Sequence, residues 1–180
     1  VNYPKIAIAA LAFSAAGLIG LAMDESYTDV AIIPTKGDTW TLGHGTTTRP
    51  DGSPVRPGDR TNPVDALTRL GKDVQRFESD IKRCVTVPLS QVEYDVYTDL
   101  IYNIGPGKTG VKDGFCWSRR GGNSTLVRRL NAGDYLGACD AILMWKRVAM
   151  QDCSIKGNRI CAGLWDRRLR AHARCVEANK

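Results

Sequence analysis

The sequence predicts an α+β protein: a small β-hairpin or sheet lobe and a larger helical lobe, joined by a long helix, with a cleft between the lobes. Three observations predict it. Residues 29–59 are rich in Gly, Pro, Thr and Asp, and short β-favouring pieces (Val30–Ile33, Thr39–Leu42) alternate there with turns such as Lys36-Gly37-Asp38 and Pro50-Asp51-Gly52. Next, Val64, Leu67, Leu70, Val74, Phe77 and Ile81 recur at three- and four-residue spacing, the period of one helix face. Beyond residue 84 several shorter helical stripes follow, punctuated by Gly and Pro.

The chain opens on an uncharged apolar run of 18 residues, Ile6–Met23, at the short end of what crosses a bilayer as a helix. Seven Ala, two Gly and one Ser fill ten of its positions, so its lipophilicity rests on Ile6, Ile8, Leu11, Phe13, Leu18, Ile19, Leu21 and Met23. Each of these contributes on the order of a few tenths of a kcal/mol to insertion. Lys5 precedes the run while Asp24 and Glu25 follow it, which places the N-terminus in the cytoplasm and the rest outside. Gly20-Leu21-Ala22 also resembles the processing site of a cleavable signal peptide. Cleavage there would leave Glu25 at a frayed terminus, so a marginal, reversible anchor is the expectation adopted.

The remaining elements follow from caps and stripes. Asn62-Pro63 supplies an N-cap and an N1 proline for a helix ending near Cys84. Val87-Pro88-Leu89-Ser90 introduces a second helix with the stripe Val92, Val96, Leu100 and Ile104, stopped by Gly105. Asn123 or Ser124 starts a short helix through Leu130, and Asp134 starts another carrying Ala138, Ile142 and Trp145. A final helix is expected over Ala162–Glu177 with Arg167, Arg168, Arg170 and Arg174 on its exposed surface. The expected domains are an anchor segment (1–24), which forms the first helix once released, and a catalytic domain (25–180). The latter divides into a small lobe (about 25–61), a connecting helix (about 62–84) and a helical lobe (about 85–180).

The net charge of +6 is unevenly spread. Residues 1–100 carry ten Lys/Arg against thirteen Asp/Glu, and residues 101–180 carry fifteen against six. A basic lobe of this kind expects an anionic partner. A chain exported across a membrane meets cell-envelope polymers first, so nucleic acid is not the expected partner. The six cysteines, Cys84, Cys116, Cys139, Cys153, Cys161 and Cys175, all lie after residue 83, and an even count downstream of an export signal reads as a disulfide framework. The pairing expected is Cys84 with Cys175, Cys116 with Cys139, and Cys153 with Cys161. With only His44 and His172 as nitrogen ligands and no C-x-x-C, a zinc site is not expected.

Glycosidic hydrolysis needs a carboxylic acid that donates a proton to the leaving oxygen, and polar groups across the sugar that aim water or stabilise positive charge. Glu25, at the polar end of an apolar segment, has the partly desolvated setting such an acid needs. Taken alone it reads equally as a solvated flanking charge. Three downstream stretches change that: Glu25-Ser26-Tyr27 with Thr39-Trp40-Thr41-Leu42-Gly43-His44-Gly45; Gln91 to Tyr97 with Tyr102-Asn103-Ile104-Gly105; and Ser124-Thr125-Leu126-Val127 through Leu130-Asn131-Ala132-Gly133-Asp134-Tyr135 to Trp145, then Gly163-Leu164-Trp165-Asp166-Arg167-Arg168.

Their order and spacing resemble the phage-type lysozymes, glycoside hydrolase family 24, and in particular the signal-anchor-release endolysins, over nearly the whole chain. The resemblance implies cleavage of the N-acetylmuramic acid to N-acetylglucosamine bond of peptidoglycan for host lysis, by a monomer with water as nucleophile and no metal or organic cofactor. It implies Glu25 as general acid and Thr41 as the residue that positions water. The family pattern E-x8-D-x5-T is broken here: Pro34 stands where the aspartate belongs, and Thr41 falls one residue late. Asp38, in a turn three residues before Thr41, is the preferred replacement, and Asp29 is its rival. Hydrolysis by Glu25 and Thr41 alone is a further option. His44, Asn103 and Gly105 are the candidate substrate contacts.

The aromatics Tyr94, Tyr97, Tyr102, Trp117 and Trp145 lie on apolar stripes, where core packing competes with sugar stacking. The resemblance also implies an enzyme held at the host inner membrane, facing the periplasm, through residues 6–23 and later released into the periplasm. With no cysteine before Cys84, its restraint is expected to be topological and not covalent. Two other readings compete: a lytic transglycosylase, and a cationic, membrane-tethered envelope binder without catalysis.

Overall fold

The computed structural model describes residues 3–34, 37–148 and 150–180; Lys36 of the expected turn lies outside them. In chain order the elements are α1 (Ala15–Asp24), β1 (Thr28–Ile32), β2 (Thr41–Gly43), α2 (Pro63–Cys84), α3 (Gln91–Ile104), α4 (Thr125–Asn131), α5 (Tyr135–Ile142), β3 (Arg147–Val148), β4 (Gln151–Asp152) and α6 (Ala162–Glu177). The α+β class is therefore the one the sequence predicts. Two compact units are formed: Ser14–Arg76, and the residues up to Phe13 together with Phe77–Lys180. Helix α2 contributes to both.

The unit of Ser14–Arg76 contains α1, the hairpin and most of α2. The Ser14 side chain accepts from the Gly17 N–H at 2.9 Å and starts α1, satisfying one of the free donors of the first turn. Gly17 and Leu21 are its buried positions, while Ile19 and Met23 stay exposed. Leu18 packs toward α2, its Cδ2 standing 4.0 Å from where a Cβ on Gly71 would be. β1 and β2 are antiparallel, with Thr28 opposite Gly43 and Ile32 opposite Thr41, and an irregularity between those two pairs. Ala31, Leu42 and Val55 with Trp40 form the hairpin's own small core. At the head of α2, the Asn62 side chain accepts from the Asp65 N–H at 3.0 Å and donates to the Asp65 carboxylate at 2.8 Å, so Pro63 begins the helix where its missing N–H costs nothing.

The helical unit is built around α3. Its N-terminus carries a capping box in which Ser90 and Glu93 satisfy each other's backbone N–H. Tyr94, Tyr97, Leu100 and Ile101 of α3 meet Ile81, Phe115, Leu126, Leu130, Ile142 and Cys175 in one core. Gly105 stops the helix with φ +77, a backbone conformation that favours glycine. Ser124 caps α4 and Asp134 caps α5.

Several expectations are corrected. The Ile6–Met23 run does not form one helix: residues before Ser14 carry a short 3₁₀ turn at Ile8–Ala10 and an extended contact of Ile6 with Leu89, and α1 begins only at Ala15. No helix among the described residues is long and apolar enough to cross a membrane. All six cysteines are paired, but as Cys84–Cys116, Cys139–Cys175 and Cys153–Cys161. Two of the three expected bridges thus exchange partners, because the end of α2 lies against the loop before α4 while α5 packs on α6. Arg167 and Arg168 are buried and not exposed. Arg167 forms an ion pair with Asp99 of α3 at 2.7 Å, and Arg168 donates to the Trp145 carbonyl at 3.2 Å and to the Asn103 side chain. Burial pushes the Arg168 guanidinium down to about 10, with the neighbouring Arg167 charge adding to the effect. Trp145 lies beyond the end of α5, and the β3–β4 hairpin was not expected from the sequence.

Candidate active site

Glu25 is the residue immediately after α1, half-buried, with its N–H donating to the Leu21 carbonyl at 3.1 Å. The last turn of α1 thus fixes the backbone from which this carboxyl projects, and buried Leu21 anchors that turn. Two residues on, the Tyr27 ring meets the His44 ring with centroids 5.5 Å apart at an interplanar angle of 53°. That contact and the Thr28–Gly43 pairing tie the segment after Glu25 to the segment after Thr41. Thr41 opens β2 opposite Ile32, and its hydroxyl donates to the Ile32 carbonyl at 3.5 Å.

Gly43 lets β2 approach α2. It has φ +63, and a Cβ there would stand 2.9 Å from the Ala66 Cβ. His44 follows, with its Nδ1 buried and without a hydrogen-bond partner among the described residues. The loop beyond is held by Arg49, which makes two charged hydrogen bonds to Asp59 at 2.7 and 2.6 Å. These bonds, with the Arg56 N–H, hold the Asp59 carboxyl down to about 2.

The two aspartates that compete for the middle position differ in what they touch. Asp38 is exposed and its carboxylate accepts from the Thr39 N–H at 2.9 Å. Asp29 lies on β1, with its carboxylate 3.9 Å from Arg60 and its carbonyl accepting from the Thr61 N–H at 3.0 Å. Asn103 and Gly105 belong to the helical unit. Asn103 is the acceptor of the buried Arg168, and the Gly105 carbonyl accepts from the Phe115 N–H at 2.9 Å.

Sequence reasoning missed one feature of the helical unit. Trp117 and Trp145, read there as core residues first, are only partly buried and line a cavity of about 530 Å³ together with Arg119, Arg120, Arg128 and Asn123. None of Glu25, Asp38, Thr41 and His44 lines it. Tyr94 and Tyr97, by contrast, are fully buried core residues, and burial raises both hydroxyls above the usual tyrosine range.

A carboxyl at a helix end, followed at once by a hairpin bearing a threonine, is the local arrangement expected from the resemblance to the phage-type lysozymes. Comparison with known proteins agrees: residues 22–171 match the Phage lysozyme family. A SAR-endolysin of Pseudomonas phage phiKMV is 32% identical over 172 residues, covering 94% of this chain and 89% of the relative. Among solved structures, an endolysin from Escherichia coli O157:H7 phage FAHEc1 superposes with a TM-score of 0.73 at 27% identity, covering 94% of this chain and 96% of that one. A mutant of P22 lysozyme superposes at 0.70 with 30% identity, covering 92% and 99%. The chain belongs to the phage lysozyme family and is a peptidoglycan-hydrolysing glycosidase.

Proposed function

We propose that this lysozyme cleaves the β-1,4 bond between N-acetylmuramic acid and N-acetylglucosamine with Glu25 as general acid. The Glu25 carboxyl gives its proton to the leaving glycosidic oxygen while water attacks the anomeric carbon from the opposite face. Thr41 orients that water and Asp38 takes its proton, so the products are two sugars, one with a new reducing end. His44, Asn103 and Gly105 contact the glycan. The observation that carries this reading is the placement of Glu25 at the end of α1, with the Tyr27–His44 contact tying it to the strand of Thr41. Arg119, Arg120 and Arg128 around the helical unit's cavity suit an anionic wall polymer.

The second part of the proposal is control by location. The apolar run of residues 6–23 holds the enzyme at the host inner membrane, facing the periplasm, until the membrane potential collapses. It is supported by the run's marginal lipophilicity and by the name of the phiKMV relative. Mass spectrometry of released muropeptides tests the chemistry: reducing ends support hydrolysis, whereas anhydro sugars would assign a lytic transglycosylase. Fractionation of energised cells tests the tether, which predicts membrane-bound protein before depolarisation and soluble periplasmic protein after it. Soluble protein in energised cells would remove the tether.

A further inference from the structure

Residues 3–13 lie on the helical unit as a strap with polar anchors along their length. Ile6 and Leu89 exchange both backbone hydrogen bonds, at 2.9 and 3.0 Å. Lys5 Nζ stands 2.5 Å from Glu93 Oε2, 2.9 Å from Asn179 Oδ1 and 3.7 Å from the Tyr135 ring centroid. The Phe13 N–H donates to Glu78 Oε1 at 2.7 Å, the same oxygen that accepts from the Tyr94 hydroxyl at 2.9 Å. Gln91 Nε2 donates to the Ala12 carbonyl at 2.8 Å, and Leu11 enters the main core.

The Glu93 end is the most demanding of these anchors. Its side chain is fully buried, and it accepts from the Ser90 N–H and hydroxyl at 2.8 Å each and from Asn179 Nδ2 at 2.9 Å. Those donors are neutral. Among the described residues, Lys5 is the cation paired with this carboxylate, and it reaches Glu93 from 88 positions away in the sequence. A buried carboxylate that loses its cation is strongly disfavoured.

We propose that the strap is a latch that makes release from the membrane one-way, closed by the Lys5–Glu93 ion pair. This rests on the tether reading. While residues 6–23 span the bilayer, Lys5 lies on the cytoplasmic face and Glu93 on the other, so the pair cannot form. Once the segment withdraws, Lys5 crosses to the periplasmic side, Ile6 pairs with Leu89, and Leu11 fills its place in the core. Reinsertion must then break the ion pair and strand a buried charge. Release therefore completes the helical unit, in addition to setting the backbone at Glu25.

The test uses the full chain, purified in its soluble form, as wild type, Lys5→Arg and Lys5→Glu. Glutamate is no more lipophilic than lysine, so a gain in membrane affinity in that variant cannot come from hydrophobicity. Hydrogen exchange at the Ile6 and Leu89 amides should be at least about tenfold faster in Lys5→Glu, the scale of one lost charged hydrogen bond, and close to wild type in Lys5→Arg. Sedimentation with phosphatidylethanolamine vesicles should then show more bound Lys5→Glu than wild type. Unchanged exchange at both amides overturns the latch, and so does faster exchange with no gain in vesicle binding. Failure of the tether itself would show separately, as soluble wild-type protein in energised cells.

Discussion

Gly43→Ala isolates the geometry that joins the Thr41 strand to α2. Two costs are separable. The left-handed backbone at φ +63 costs a residue with a Cβ about 1–2 kcal/mol. The new methyl would also stand 2.9 Å from the Ala66 Cβ, and relieving such overpacking costs about 1–3 kcal/mol. The expected loss is therefore about 2–5 kcal/mol. Gly45→Ala is the control: it has φ +84 but nothing within 4 Å, so only the first cost, about 1–2 kcal/mol, applies. Ala66→Gly made together with Gly43→Ala should recover the steric share, less about 1 kcal/mol for glycine in a helix. Urea unfolding followed by circular dichroism measures all four proteins, and clearing of a cell-wall suspension should fall most in Gly43→Ala because Thr41 and His44 flank the site. Equal destabilisation by Gly43→Ala and Gly45→Ala, or no recovery in the double variant, would refute the close approach of β2 to α2.

Arg167→Met strands Asp99 and should cost about 2–4 kcal/mol in thermal melts against the wild type, somewhat under the range for a fully buried pair because Asp99 keeps some solvent. Peptide mapping without reduction should recover Cys84–Cys116, Cys139–Cys175 and Cys153–Cys161. From sequence separations of 36 and 8, removing Cys139–Cys175 should cost about 1.3 kcal/mol more than removing Cys153–Cys161 on chain entropy alone. The Asp59 carboxyl, held down to about 2 by Arg49 against an ordinary value of 3.8, adds stability that is complete above that ordinary value and is lost as pH falls toward 2. Asp59→Asn should flatten this acid limb, and an unchanged acid profile would show that the pair has no such role.

The helices were legible where cap, period and stop agree. Asn62-Pro63, Ser90 and Gly105 bound α2 and α3 where the sequence places them. The N-terminal run was not legible, because composition reports lipophilicity while the break at Ser14 depends on a single hydroxyl that caps α1. Its extended half is extended because Leu89 and Glu93, more than 80 residues away, offer partners that no local pattern announces. Disulfide pairing likewise depends on which elements meet. The burial of Arg167 and Arg168 did leave a signal: Ala171 and Cys175 lie on the buried face of α6, and stepping back three or four residues from Ala171 lands on those arginines. A charged residue on an apolar stripe is the sign of a buried partner, here Asp99.

The site divides in the same way. The placement of Glu25 at the end of α1 and of Thr41 on β2 was legible because a helix end followed by a hairpin is encoded locally, and the Tyr27–His44 contact lies within the same short stretch of chain. The aspartate was not, because Pro34 occupies its place in the pattern, and the one-residue lengthening before Thr41 reshapes the loop that would carry a substitute. Nor does local pattern reveal the cavity beside Trp117 and Trp145, whose lining comes from separate stretches of the helical unit.

Clearing of peptidoglycan suspensions by Glu25→Gln, with folding followed by circular dichroism, measures the role of the acid at the end of α1 most directly. A lost general acid should slow clearing by about a hundredfold to ten-thousandfold while the spectrum stays that of the wild type. Clearing at the wild-type rate by a folded Glu25→Gln protein would contradict this assignment and place the acid on another residue.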